Sequence, residues 1–147
     1  MRRFPAGVAV VTVDANGERL GLTLGTLVSL SFEPPLVGIS VAREAALHEL
    51  LREAGGFAVS FLASGQEAVA QHFARGVPPI AHWHGIETIE GEHGAPLIEG
   101  ALGWLECSVW AEWAAGDHTF FAGEVLSCRL GEAKPPLLYL DRRYRPL

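Results

Sequence analysis

Cysteine is nearly missing from this chain: Cys107 and Cys128 are the only two in 147 residues. They form no Cys-x-x-Cys pair and stand at no metal-site spacing, which excludes a thiolate-metal scaffold and leaves two buried thiols as the expectation. Charge is also thin. Charged residues make up 19% of the sequence, with 11 basic against 17 acidic and a net charge of −6. No basic run exists, so nucleic acid is not an expected partner. No apolar run reaches the length of a membrane span. The start, Met1-Arg-Arg-Phe-Pro, makes a poor signal peptide, and a cytoplasmic protein is expected. There is no Gly-x-Gly-x-x-Gly fingerprint from which to read a nucleotide preference. Neither a repeat nor a composition break divides the chain, so residues 1–147 read as one domain.

What is present is a chain with 49% hydrophobic residues, enough for a packed core. One stretch organises it: Gly21-Leu-Thr-Leu-Gly-Thr-Leu-Val-Ser-Leu-Ser-Phe-Glu-Pro-Pro-Leu-Val-Gly-Ile-Ser-Val41. It opens as a strand and passes into small polar residues, Thr23, Gly25, Thr26, Ser29 and Ser31, alternating with apolar ones. Pro34-Pro35 then stops regular pairing, because proline has no N–H to donate, and an apolar strand follows from Leu36 to Val41. Small residues let a backbone approach a ligand closely, so the stretch suits a flat, polar-edged ligand. It equally suits a barrel corner packed with small side chains.

Around that stretch the pattern is mainly β. Gly7 to Val13 is β-branched and reads as a strand, Asn16-Gly17 as a hairpin turn, and Leu20 to Val28 as the returning strand. Arg43 to Ala54 reads as a helix, with Leu47, Leu50, Leu51 and Ala54 at helical spacing and Gly55-Gly56 ending it. Phe57 to Leu62 is a strand. Ser64-Gly-Gln-Glu67 has the form of a capping box, starting a helix that runs to about Arg75. Residues 76–94 read as a surface excursion containing His82-Trp-His84, a polar loop that resembles a metal site only loosely, since no Cys or Glu joins it at zinc spacing. His48 and His72 fall on helices and read as surface or helix-end residues. Leu97 to Ala114 contains a long strand, Gly116-Asp117 turns it, Thr119 to Leu130 returns, and Leu137 to Leu140 is the last strand before a polar tail, 141–147. About seven strands joined by tight turns predict an antiparallel sheet closed or nearly closed on itself.

Six segments in order resemble the short-chain flavin reductases, the reductase components of two-component flavin monooxygenases. They are Phe4-Pro-Ala-Gly-Val-Ala-Val-Val-Thr12, the 21–41 stretch with its Pro34-Pro-Leu36, Phe57-Ala-Val-Ser-Phe-Leu62, Leu105-Glu-Cys-Ser-Val109, Gly116-Asp-His-Thr-Phe-Phe-Ala-Gly-Glu-Val125, and Pro136-Leu-Leu-Tyr139 with Tyr144. The resemblance implies an antiparallel split β-barrel of the FMN-binding type with about two short helices, built as a homodimer whose flavin pocket lies at or near the subunit interface. It implies reduction of FMN or FAD by NADH or NADPH and delivery of reduced flavin to a monooxygenase partner. It sets the flavin ring against Thr23, Leu24, Gly25, Thr26, Leu27 and Ser29. The family often has Asn or Ser where Gly25 stands and an aromatic where Leu27 stands, so backbone amides replace side-chain bonds here.

Ser40, Ala42, Arg43 and Glu44 fall at the flavin's tail. Arg43 suits a phosphate and the helix start offers free N–H groups, while Glu44 repels one. His118 is implied as the nicotinamide contact that makes it the catalytic candidate, with Tyr144 a second nucleotide contact. No metal is implied. A flavin binder or electron carrier without NAD(P)H turnover, a colourless binding module, and an oxidase on a related barrel are the competing readings.

Overall fold

The computed structural model describes residues 1–147. Its strands are β1 (Ala6–Gly7), β2 (Ala9–Ala15), β3 (Glu18–Leu24), β4 (Val28–Phe32), β5 (Pro35–Ala42), β6 (Gly56–Phe61), β7 (Thr88–Ile89), β8 (Leu97–Ile98), β9 (Gly103–Ala115), β10 (His118–Leu130), β11 (Leu137–Leu140) and β12 (Arg143–Pro146). The helices are α1 (Ala46–Ala54) and α2 (Glu67–Ala74), with a 3₁₀ turn at Pro79–Ala81.

Seven strands form one antiparallel sheet in the order β3-β2-β6-β9-β10-β5-β4. β3 and β4 are consecutive in sequence yet occupy its two opposite edges. Gly25, Thr26 and Leu27 are therefore the whole connection across the split between them. This is the expected split barrel, and the organising stretch is the bridge over its gap. The predicted strand 20–28 ends at Leu24, because the next three residues leave the ladder to cross from one edge to the other.

The alternation along β2 builds two cores. Val11 and Val13 point into the barrel with Ile39, Val41, Phe57, Val59 and Phe121. Val8 and Val10 point outward, where α2 covers them with Ala70 and Phe73. The apolar face of α1, Leu47, Leu50 and Leu51, plugs the barrel. The Asn16-Gly17 turn has both residues at positive φ, 54° and 86°, as a two-residue hairpin of matching twist requires.

Several expectations need correction. α1 begins at Ala46, not Arg43, because Ala45 is extended at its N-cap. α2 begins at Glu67, not Ser64. Gln66 is its N-cap and makes no side-chain cap bond; its Oε1 instead accepts the Ala63 N–H, while Gly65 turns at φ 94°. The tail is a strand: β12 pairs with β11 through the Asp141-Arg142 turn, and both join β1 in a three-stranded sheet. Cys107 is buried as expected, and burial with the Glu106 charge pushes its thiol up to about 12. Cys128 is exposed. The register pairs Cys107 with Val125 and Cys128 with Leu105, so the two thiols do not face each other.

Candidate functional site

The residues singled out along the sequence fall into two groups, one on and beside the bridge and one where β5 meets β10. On the bridge, the amides of Gly25, Thr26 and Leu27 donate to no other backbone group. Gly25 and Thr26 are exposed and Leu27 is half-buried against the barrel core. Gly25 has no positive φ, and an added Cβ would meet nothing nearer than Ala6 Cβ at 3.4 Å. Three unspent N–H groups on an open backbone can meet the carbonyl and nitrogen edge of a flat heterocycle. The Thr23 hydroxyl donates to the Ala70 carbonyl at 2.7 Å, so its oxygen is tied to α2. Ser29 is exposed on the edge strand β4.

β5 and β10 bring the second group together. His118 stands opposite Ala42 and Phe120 opposite Ser40. The Arg43 N–H donates to the Asp117 carbonyl, 3.0 Å, which ties the end of β5 to the β9–β10 turn. His118 has its side chain 43% exposed, and its Nδ1 lies 2.7 Å from Asp117 Oδ1. That hydrogen bond holds the Asp117 carboxyl below its ordinary range and leaves the outer ring nitrogen, Nε2, free.

A cleft of about 560 Å³ opens between the middle of β3, α1 and the segment after α2. Ala42, Glu44, Ala46 and Leu47 line one wall and Arg75 and His82 the other. Ala46 and Leu47, in the first turn of α1, donate to no backbone carbonyl, as the start of a helix leaves them. Arg75 is thus the cation that faces this helix end. It escaped the sequence reading because nothing local marks an arginine after a helix as facing another one. Arg43 is exposed and lies outside this wall. At the bridge itself, Thr23, Leu24, Gly25 and Tyr144 line a smaller cleft of about 210 Å³. Burial, and then the neighbouring Tyr139, raise the Tyr144 phenol above its ordinary value. His118 lines neither of these clefts.

Two histidines read as surface groups are buried. His48 is 4% exposed. Its Nε2 lies 2.7 Å from the Thr119 hydroxyl and its Nδ1 2.8 Å from Glu49 Oε1, joining α1 to the residue after His118. His82, expected in a polar loop, is 7% exposed. Its Nε2 accepts the Gly21 N–H at 2.8 Å, and its ring packs edge-on to Phe73, 5.3 Å between centroids. His72 Nε2 bonds the His82 carbonyl and so braces the same segment. His84 and His93 are exposed.

An Nε2 that accepts must be unprotonated, and burial, aided by the His72 charge, lowers the His82 value below the ordinary 6.5. The unfolded chain therefore binds more protons than the folded one between that lowered value and 6.5. The stability contributed by His82 is complete above about pH 6.5 and is lost as the pH falls through the folded value. Melting temperatures recorded from about pH 7.5 down to 5 are expected to fall, and to fall less steeply in His82→Gln. An equal slope in the two proteins would remove His82 as the cause.

A family model described as a flavin reductase like domain matches residues 1–147. The reductase component of 4-hydroxyphenylacetate 3-monooxygenase from Thermus thermophilus is 43% identical over 147 residues, covering 100% of this chain and 92% of that protein. An NADH-dependent FAD reductase of Streptomyces globisporus is 41% identical over 145 residues, 97% of this chain and 79% of that protein. Among solved structures, the Streptomyces globisporus C-1027 NADH:FAD oxidoreductase SgcE6 superposes with a TM-score of 0.93 at 40% identity, covering 99% of this chain and 87% of that one. The same oxidoreductase with NAD and FAD fragments bound superposes with a TM-score of 0.91.

Proposed function

This chain belongs to the flavin reductase like domain family, and from that premise we propose that it is an NAD(P)H:flavin oxidoreductase that supplies reduced flavin to a monooxygenase partner. Relatives of 41% and 43% identity are named for NADH-dependent FAD reduction and as a monooxygenase reductase component. The observation in this molecule that carries the reading is the bridge over the split: three consecutive amides, 25–27, with no protein acceptor, on an open backbone that lines two clefts. Exposed amides of this kind meet water until a ligand with acceptors takes its place.

A flavin bound there supplies the two-electron acceptor for the nicotinamide hydride. The residues do the rest. The amides of Gly25, Thr26 and Leu27 hold the polar edge of the ring, with Thr26 and Ser29 hydroxyls beside it. The first-turn amides of α1 and the Arg75 guanidinium receive the phosphate, against which Glu44 acts. Ser40 and Ala42 form the floor next to His118. The free Nε2 of His118 holds the nicotinamide carboxamide or a phosphate in place. No side chain need move a proton for hydride transfer, which requires the two rings stacked and water kept out. The test is the visible spectrum of the protein with flavin, then with NADH, without oxygen. A flavin band that shifts and then bleaches is expected. A band that shifts without bleaching favours an electron carrier, and no shift makes the bridge mere packing.

A homodimer is part of this proposal. Val28, Phe32, Trp110, Trp113, Leu126 and Leu130 are exposed by 44% to 94%, on strands adjacent in the β9-β10-β5-β4 wing. Trp110 and Leu126 sit at breaks in the β9–β10 register, so the bulges turn large apolar groups outward. A patch of this kind marks an interface. Light scattering is expected to give a dimer for the native chain and a monomer for Trp113→Glu. A native monomer that still binds flavin would defeat the dimer.

No helix is long and apolar enough to cross a membrane. A cytoplasmic location is proposed with the function, because both cysteines are free thiols.

A further inference from the structure

The chain is acidic, but its cations are not spread evenly. Arg2, Arg3, Arg142, Arg143 and Arg145 are five of the 11 basic residues, and the segments that hold them, 1–7 and 137–147, contain one acid, Asp141. The fold brings these two ends together. β1 pairs with β11 and β11 with β12. The Asp141 N–H donates to the Arg2 carbonyl, 2.8 Å, and Arg2 Nη2 lies 3.2 Å from Asp141 Oδ1. Arg3, Arg142, Arg143 and Arg145 have no carboxylate within 4 Å. Four of the five arginines, Arg2, Arg3, Arg142 and Arg145, line clefts that also hold Asp141; guanidinium groups crowded on one carboxylate repel each other, and an anion relieves that repulsion.

Two adjoining clefts lie at this edge. Arg2, Arg3, Asp141 and Arg145 line one, of about 600 Å³. Arg2, Asp141 and Arg142 line the other, of about 640 Å³, together with Gly25, Thr26 and Leu27. The second cleft therefore runs from the bridge, where the ring is proposed to lie, to the arginines.

The backbone gives an independent sign. Asp141 and Arg142 form the two-residue β11–β12 turn, with φ at 50° and 62°. Such a turn favours Asn-Gly, and an arginine in the left-handed region is strained. Strain of this kind concentrates where a side chain is needed for a ligand. A glycine at 142 would relax the turn and remove a guanidinium from the mouth of the cleft.

We propose that this arginine edge binds the diphosphate of a dinucleotide substrate, with Arg142 and Arg145 as its main donors. A guanidinium meets phosphate oxygens through paired N–H groups. The diphosphate is that of the nicotinamide dinucleotide, because the flavin's own phosphate is placed at the first turn of α1, in a cleft that shares no residue with this edge. The proposal takes its ligands from the reductase reading.

Arg142→Gly is the telling variant, because it is expected to melt no lower than the native protein while binding worse. Paired with Arg145→Gln it is expected to raise the KM for NADH about tenfold, the worth of a charge-assisted hydrogen bond. A rise for FAD alone, with the KM for NADH unchanged, would give the edge to the flavin and overturn the proposal. A rise for NADH with either flavin assigns it to the nicotinamide dinucleotide. Arg142→Lys keeps the charge and is expected to recover part of the loss. Unchanged KM values for all substrates, or an equal fall in kcat with FAD, FMN and riboflavin alike, would overturn the proposal.

Inorganic pyrophosphate tests the edge without turnover. It is expected to raise the melting temperature of the native protein and not that of the double variant. Equal shifts in both would overturn the proposal. Failure of the native protein to oxidise NADH with any flavin would instead sink the reductase reading, and the pyrophosphate comparison would still judge the arginine edge.

Discussion

His118→Ala is expected to raise the KM for NADH about tenfold while the flavin dissociation constant stays within about twofold. The size is that of one lost hydrogen bond to a charged or strongly polar ligand group. Selectivity follows from position. His118 is the first residue of β10, opposite Ala42, with a half-exposed ring whose Nδ1 is engaged by Asp117. Only Nε2 is left for a ligand. The turn itself does not depend on the ring, because the Arg43 N–H holds the Asp117 carbonyl and Gly116 supplies the left-handed residue at φ 64°. Removing the imidazole should therefore leave the melting temperature nearly unchanged, as for most exposed substitutions. Steady-state kinetics with NADH varied, beside a flavin titration, separates the outcomes. Loss of flavin binding would place His118 in the flavin site. No change in either constant would return it to a turn residue bonding its own loop.

The largest loss of stability is expected from Phe121→Ala. Phe121 is fully buried in the barrel core, with the His48 ring edge-on at 5.6 Å between centroids. Truncating a buried phenylalanine costs about 3–5 kcal/mol in lost burial and an unfilled cavity. A domain of ordinary stability has only about 5–15 kcal/mol in all, so a large share of the margin goes. For a chain of this length the melting temperature should drop by roughly 10–15 °C. By contrast, Ile80→Ala, at a 97% exposed position, should stay within about 0.5 kcal/mol of the native protein. A loss below about 1 kcal/mol for Phe121→Ala would mean that the barrel interior is not the tight core described above. Flavin in excess should recover part of the loss, since a ligand that binds only the folded state stabilises it by mass action.

Much of the architecture is written locally. The β-branched run after Val8, the Asn16-Gly17 turn, the Leu47-Leu50-Leu51 stripe and the paired long strands around Gly116 each follow from side-chain periodicity or from a residue that tolerates positive φ. The six resembling segments carried the family. Boundaries were less legible. Arg43 to Ala45 read as helix because Ala and Glu favour one, but the Arg43 amide is spent on Asp117, 74 positions along the chain. Ser64 read as a cap because the Ser-x-x-Glu spacing fits, yet Gln66 takes the N-cap position at the start of α2.

Polar burial was least legible. A histidine on a helix looks the same in sequence whether it meets water or Thr119, and His48 was missed for that reason. His82 was missed because nothing near it announces that Gly21 will bring an N–H to its ring. By itself, then, the sequence determined the strands, the turns, the apolar faces and the family, since these depend on residues a few positions apart. Only the tertiary structure decided what crosses the split, that Arg75 faces the first turn of α1, and that arginines from both ends of the chain share one edge beside the bridge. Those pairings lie tens of residues apart or more, and strand order, which no local pattern encodes, sets them.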